Sequence, residues 1–181
     1  MHARIFSVLV LLFLMQLPST IGAQSLVRSR PPECRCQFEM DGIPVKKIQQ
    51  VQTDIGPVDY YSFVLEGKES GSFLTTVVSF ADYPEDALSL DSANFQQEFF
   101  QTSIEQAVDQ LSGVLIYQSE IEEASVPGRL YRIDYGDGMT VKSKVYLDGR
   151  RFYLLQAFYL RDKEKGHAAD RFLQSFQLLG N

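Results

Sequence analysis

The stretch RFYLLQAFYL, Arg151 to Leu160, constrains the fold of this chain more than any other. Written as a strand, it puts Phe152, Leu154 and Phe158 on one face and Tyr153, Leu155, Ala157 and Tyr159 on the other. A strand apolar on both faces has to be buried on both faces. Protein must therefore lie above and below the sheet that holds it, and the rest of the sequence has to supply those two layers.

Two segments switch to the helical period. Phe95, Phe99, Phe100, Ile104, Ala107, Val108 and Leu111 recur at spacings of three and four, which gathers them into one stripe. Gln97, Glu98, Gln101, Glu105 and Asp109 fall on the opposite, wet side. Asp91 or Ser92 can cap the start of this helix and Gly113 can end it. Near the end of the chain, DKEKGHAADRFLQSF places Ala169, Phe172, Leu173 and Phe176 on a second stripe.

Between and before these helices the pattern is strand-like. VKKIQQVQ, VDYYSFVLEG and SFLTTVVSFADY precede the first helix, and VLIYQSEIEE, GRLYRIDY, MTVKSKVYL and RRFYLLQAFYL follow it. The links TDIGP, GDG and DG carry the Asp, Gly and Pro of turns. In MTVKSKVYL the apolar Met139, Val141, Val145 and Leu147 alternate with Thr140, Lys142 and Lys144, so one face is expected to be solvated there. Hairpins plus two amphipathic helices give an α+β domain. The expected architecture is an antiparallel sheet of about six to seven strands sandwiched between helices, in the order βββ-α-ββββ-α.

The N-terminus reads as a targeting segment. After His2 and Arg4 comes the apolar run IFSVLVLLFLMQL, then PSTIGA, with its helix breaker and small residues. That is the pattern of a signal peptide, cut near Ala23. The apolar run is short of the roughly 20 residues of a spanning helix, and no later run approaches that length. The expected layout is a signal peptide over 1–23, a mobile or extended lead-in over 24–42, and one domain over 43–181. The expected location is outside the cytoplasm, periplasmic or secreted, with no transmembrane segment after cleavage. The formal net charge of −6 argues against nucleic acid, whose binding rests on clustered Lys and Arg.

Several short motifs in the second half carry a resemblance. VPGRLYRIDY, then VKSKVYLDGRRFYLLQAFY, then RFLQSFQL resemble small exported bacterial proteins of the PsbP-like fold superfamily, the Mog/PsbP-like α/β/α sandwich. The matching pieces are Pro127-Gly128-Arg129, Gly149-Arg150, Phe172-Leu173-Gln174-Ser175-Phe176 and ADYP from Ala81 to Pro84. They are turns and packing positions spread over Ile43 to Leu179, and the Cys34–Cys36 segment lies outside them. The resemblance implies an antiparallel sheet between helices. It also implies a noncatalytic module, because the extrinsic photosystem subunit and the Ran-binding protein of this fold act by binding other proteins.

Candidate chemistry is sparse. In DGRR, Arg150 and Arg151 are candidate bidentate donors to a carboxylate or phosphate. The simpler account is a hairpin whose arginines keep the strand entry soluble, and the sequence favours it. Asp134 and Asp137 flank a glycine, but Val145 stands where the distal acid of a calcium loop would fall. Glu120, Glu122 and Glu123 read as exposed edge acids. His167 is alone after the leader, which disfavours a serine triad or a zinc site, and no nucleophile elbow, P-loop or dinucleotide fingerprint occurs.

Cys34 and Cys36 are the remaining oddity. In an extended strand their Cα atoms would stand roughly 6.6–7.2 Å apart at about 3.3–3.6 Å per residue, at or past the reach of a disulfide. A bridge needs a bent, strained segment; the alternatives are intermolecular pairing or metal capture, and two cysteines without a role. The expected function is that of an exported, noncatalytic binding or accessory protein whose partner is a protein or small ligand of the cell envelope. No cofactor and no metal are expected. The alternative is a thiol redox or metal-handling protein using Cys34 and Cys36.

Overall fold

A computed structural model describes residues 26–53, 56–67, 74–84, 93–161 and 163–179. The leader, the capping residues Asp91 and Ser92, and Ser72 and Phe73 lie outside the described residues. In chain order the elements are β1 (Val27–Ser29), β2 (Cys36–Met40), β3 (Val45–Thr53), β4 (Gly56–Glu66), β5 (Leu74–Asp82) and α1 (Ala93–Leu111). Then come β6 (Val114–Glu123), β7 (Val126–Tyr135), β8 (Met139–Asp148), β9 (Arg151–Leu160), α2 (Lys163–Ser175) and β10 (Gln177–Leu178).

Seven strands form one antiparallel sheet in the order β3-β4-β5-β9-β8-β7-β6. The doubly apolar strand β9 is its middle member, between β5 and β8. Phe152 and Leu154 enter a core with Phe99, Phe100, Ile104 and Ala107 of α1. Tyr153, Leu155, Ala157 and Tyr159 enter another with Ala169, Phe172, Leu173 and Phe176, from α2 and the residue after it. Each helical stripe read from the sequence is thus seated on its own face of the sheet. The α1 crossover carries the chain from β5, beside the centre, to the far edge strand β6.

The order found has three more strands than βββ-α-ββββ-α. β1, β2 and β10 form a small antiparallel sheet, with β2 in the middle. The lead-in supplies β1 and β2, and the chain beyond α2 supplies β10, so Cys36 faces Leu178 and Gln37 faces Gln177. Cys36, Phe38 and Met40 point into the core beside α2, while Gln37 and Glu39 point away from it. The Ser175 hydroxyl fastens this sheet to the end of α2: it accepts from Glu39 N–H at 3.0 Å and donates to Phe172 O at 2.7 Å.

Local chemistry explains the joints. α1 closes with Ser112 in the left-handed region (φ 48°). Its N–H donates to Asp109 O, and Gly113 N–H donates to Val108 O, both at 3.0 Å. That is a Schellman ending in which Ser112, not Gly113, takes the costly conformation. The β6–β7 hairpin turns on Ala124 and Ser125, both with positive φ (49° and 63°), a type I′ requirement met without Gly or Asn. Gly128, of the Pro-Gly-Arg motif, is needed for close approach: a Cβ there would stand 2.3 Å from Val145 O.

One face expected to be solvated is covered. Thr140 is fully buried, and Lys142 donates to Asp170 of α2 at 2.7 Å with its side chain only 13% exposed. The lysine reads as a solvent marker in sequence, yet here its stem lies under the helix and only its charge is answered at the rim.

Candidate functional site

The DGRR turn is where the sheet meets the small N-terminal sheet. β8 and β9 are joined through Gly149, with φ 56°, and Arg150. Positive φ at the first central position alone is the type II′ pattern. Asp148 and Arg151 are therefore the first pair of the ladder, not turn residues, and Arg151 also stands opposite Asp82 of β5.

The two arginines then part company. Arg151 is 8% exposed. Its Nε donates to Asp82 Oδ1 at 2.6 Å and its Nη2 to Asp82 Oδ2, a bidentate grip. Its Nη1 donates to Glu33 O at 2.6 Å and Cys34 O at 3.1 Å, and the guanidinium lies over the Phe80 ring, 4.7 Å from its centre. Tyr153 adds its hydroxyl to Cys34 O at 2.9 Å. Arg151 is a bolt between the sheet and the lead-in, with its fork occupied. Arg150 is exposed at the turn, and its guanidinium reaches only Tyr83 O, at 3.4 Å.

The bolt sets the electrostatics. Hydrogen bonds from Arg151 hold the Asp82 carboxyl below the usual carboxylate range; burial opposes this, and the charges of Arg151, Arg35 and Arg150 add to it. Glu33 is likewise held low, chiefly by its hydrogen bond with Lys46.

Beneath the bolt, Cys34 and Cys36 are joined in a disulfide with Cα atoms 5.1 Å apart. The chain shortens that distance from the extended value by bending at Arg35, whose φ is 52°. A left-handed residue with a side chain costs roughly 1–2 kcal/mol. Both cysteines have no solvent exposure. Thiol exchange requires a thiolate to reach a sulfur, and buried sulfurs do not offer one.

The other candidates are scattered. Asp134 accepts from Arg132 Nε at 2.9 Å and Thr140 Oγ1 at 2.8 Å and pairs with Arg161 at 3.1 Å. Burial pushes its pKa up, but Arg132, Thr140 and Arg161 together bring it below the ordinary value. Asp137 is exposed between Gly136 and Gly138. Glu120 and Glu122 are exposed on the edge strand β6 and Glu123 is half-buried there; Glu120 pairs with Arg129 at 2.9 Å. His167 is exposed on α2. No group of three or more His, Cys, Asp or Glu that could hold a metal ion occurs among the described residues.

Sequence reasoning missed two features. One is Arg35, placed at the apex of the disulfide ring; the signal was present, since a bridge across one residue forces that residue to bend. The other is a set of tyrosines on the α1 face. Tyr131 is buried and Tyr60 packs against the same core, and burial pushes both hydroxyls up to about 12. They stay protonated near neutrality.

No protein-family model and no curated protein sequence matches this chain. Among solved structures it is similar to the solution structure of cyanobacterial PsbP (CyanoP) from Synechocystis sp. PCC 6803. The two share 14% sequence identity with a TM-score of 0.55, over 91% of this chain and 98% of that one. Among the described residues no helix is long and apolar enough to cross a membrane. An antiparallel seven-stranded sheet with a helix on each face, superposable on cyanobacterial PsbP over nearly its whole length, identifies the fold as PsbP-like.

Proposed function

We propose that this is an exported, noncatalytic binding protein, a Mog/PsbP-like sandwich that acts as an accessory subunit for another protein of the cell envelope. The observation that carries this reading is how the ionisable groups are spent. Asp82, Asp134, Glu33 and Lys142 are each answered by a neighbouring opposite charge. They sit in two groups toward opposite ends of β8, Asp82 and Glu33 by Arg151 and Asp134 and Lys142 by Arg132. Each is already paired, where an active site would hold an acid or base ready for substrate. The PsbP-like fold supports the same reading. The thiol alternative has the burial of Cys34 and Cys36 against it.

The test is in-cell cross-linking of the tagged full chain, followed by purification and mass spectrometry with and without reductant. The reading expects one stoichiometric protein partner, unaffected by reductant, and an exported chain that starts just after Ala23. A complex that falls apart on reduction, or a bare cytoplasmic monomer, overturns it.

A further inference from the structure

We propose that Arg35 and Arg150 form a two-pronged anion site that receives carboxylates from an acidic segment of the partner protein; this rests on the binding-protein reading above. The two residues come from segments 115 positions apart in the chain, yet both adjoin the Asp82–Arg151 pair. Arg150 precedes Arg151, and Arg35 follows Cys34, whose carbonyl accepts from Arg151 Nη1 at 3.1 Å; both charges also help to hold the Asp82 carboxyl low. Both are exposed. Neither is in an ion pair among the described residues, and the only side-chain hydrogen bond of the two is the 3.4 Å reach of Arg150 to Tyr83 O.

Each prong is mounted on a fixed backbone. Arg35 sits at the apex of the Cys34–Cys36 ring. Its carbonyl accepts from Leu179 N–H at 3.0 Å, and Cys34 N–H donates to Pro31 O at 3.1 Å. Arg150 sits in the two-residue turn, and its carbonyl accepts from Tyr83 N–H at 2.9 Å. Glycine would meet the left-handed φ at position 35 without strain, so the arginine there has a use for its side chain.

Among the described residues the surrounding acids do not cancel the site. Asp82 is held bidentately by Arg151, and Glu33 is paired with Lys46. Asp148 stands across the ladder from Arg151; among the described residues Arg35, Arg150, Arg151 and Lys46 stand against Asp82, Glu33 and Asp148, a small positive excess. Guanidinium forks match carboxylate oxygens two at a time, and fixed mounts reduce the ordering cost of binding. Two arginine prongs match a short acidic segment rather than a long polyanion such as nucleic acid, whose binding needs many clustered Lys and Arg.

The experiment is an NMR titration of the isotope-labelled mature protein with a hexaglutamate peptide, with inorganic phosphate, and with sodium chloride at matched ionic strength. The proposal expects saturable shifts of the Arg35 and Arg150 Nε–H signals with the peptide and none with chloride. Arg35→Gly and Arg150→Gln each weaken the peptide about tenfold or more, while Arg35→Gly does not lower the thermal midpoint. Shifts that do not saturate, or that persist unchanged in Arg35→Gly, overturn it. Phosphate binding as tightly as the peptide overturns the carboxylate assignment. Cross-linking separates the two readings: if the double variant captures the partner in wild-type yield, the site falls and the binding function stands, whereas no partner for the wild type removes the function itself.

Discussion

One face of the seven-stranded sheet is closed by α1, a single helix that the chain forms while crossing from β5 to β6; the other is closed by parts from both ends of the chain. On the α1 side the seal is a stripe of side chains on one element, Phe99, Phe100, Ile104 and Ala107. On the α2 side it needs α2, β2, β10, a disulfide and a buried arginine to arrive together. The first face is held mainly by apolar contact, with Arg129 over the Phe100 ring and a 3.4 Å hydrogen bond from Gln118 to Gln101 at its rim. The second adds buried, directed polar bonds to its apolar contact. The difference teaches that a short lead-in can belong to the core when specific bonds tie it there.

The largest expected effects probe the shared apolar component. Phe100→Ala on one face and Phe176→Ala on the other each remove a ring that is at most 2% exposed, and each should cost about 3–5 kcal/mol in urea unfolding. Near-equal losses would show that both faces rest on apolar packing; a much smaller loss for Phe176 would make the α2 face mainly a polar closure. Next is Arg151→Met, which leaves Glu33 O without its donor and Asp82 without its counter-charge. It should cost about 3 kcal/mol, with no counterpart on the α1 side.

Replacing both Cys34 and Cys36 with Ser should cost about 1–2 kcal/mol by the chain-entropy account of a small ring, read as a lower thermal midpoint. The smallest effect is a pH dependence. The folded pKa of Asp82 is depressed, so its contribution is present above the unfolded value of about 3.9 and is lost as pH falls through the folded value. The stability gap between wild type and Asp82→Asn should be flat from about pH 6 to 8 and shrink as the pH drops below about 4. A gap that widens in acid would contradict the sign.

The α1 face and the central strand were legible because their signals are periodic and local. Phe152 to Tyr159 alternate without a polar break except Gln156, and α1 shows its stripe within its own nineteen residues. The polar layer was not. β1, β2 and β10 have three, five and two residues, too few for a period to stand out, and β2 finds β10 some 140 residues away. The alternation of Cys36, Phe38 and Met40 was there to be seen, but the prolines before it suggested loose chain. Arg151 could not be told from Arg150 by sequence, since its burial depends on Asp82, 69 positions distant, and on carbonyls 117 and 118 positions away. Lys142 misled for the same reason: its answering acid, Asp170, lies on a separate element.

The most direct test of this account is native-state hydrogen exchange, followed at the amides of Leu179 and Glu39, which donate to Arg35 O and Ser175 Oγ. If the lead-in is bolted into the fold, both amides exchange about as slowly as those of β9. If they exchange within minutes while β9 stays protected, the N-terminal layer is loosely held and the account of the α2 face is wrong.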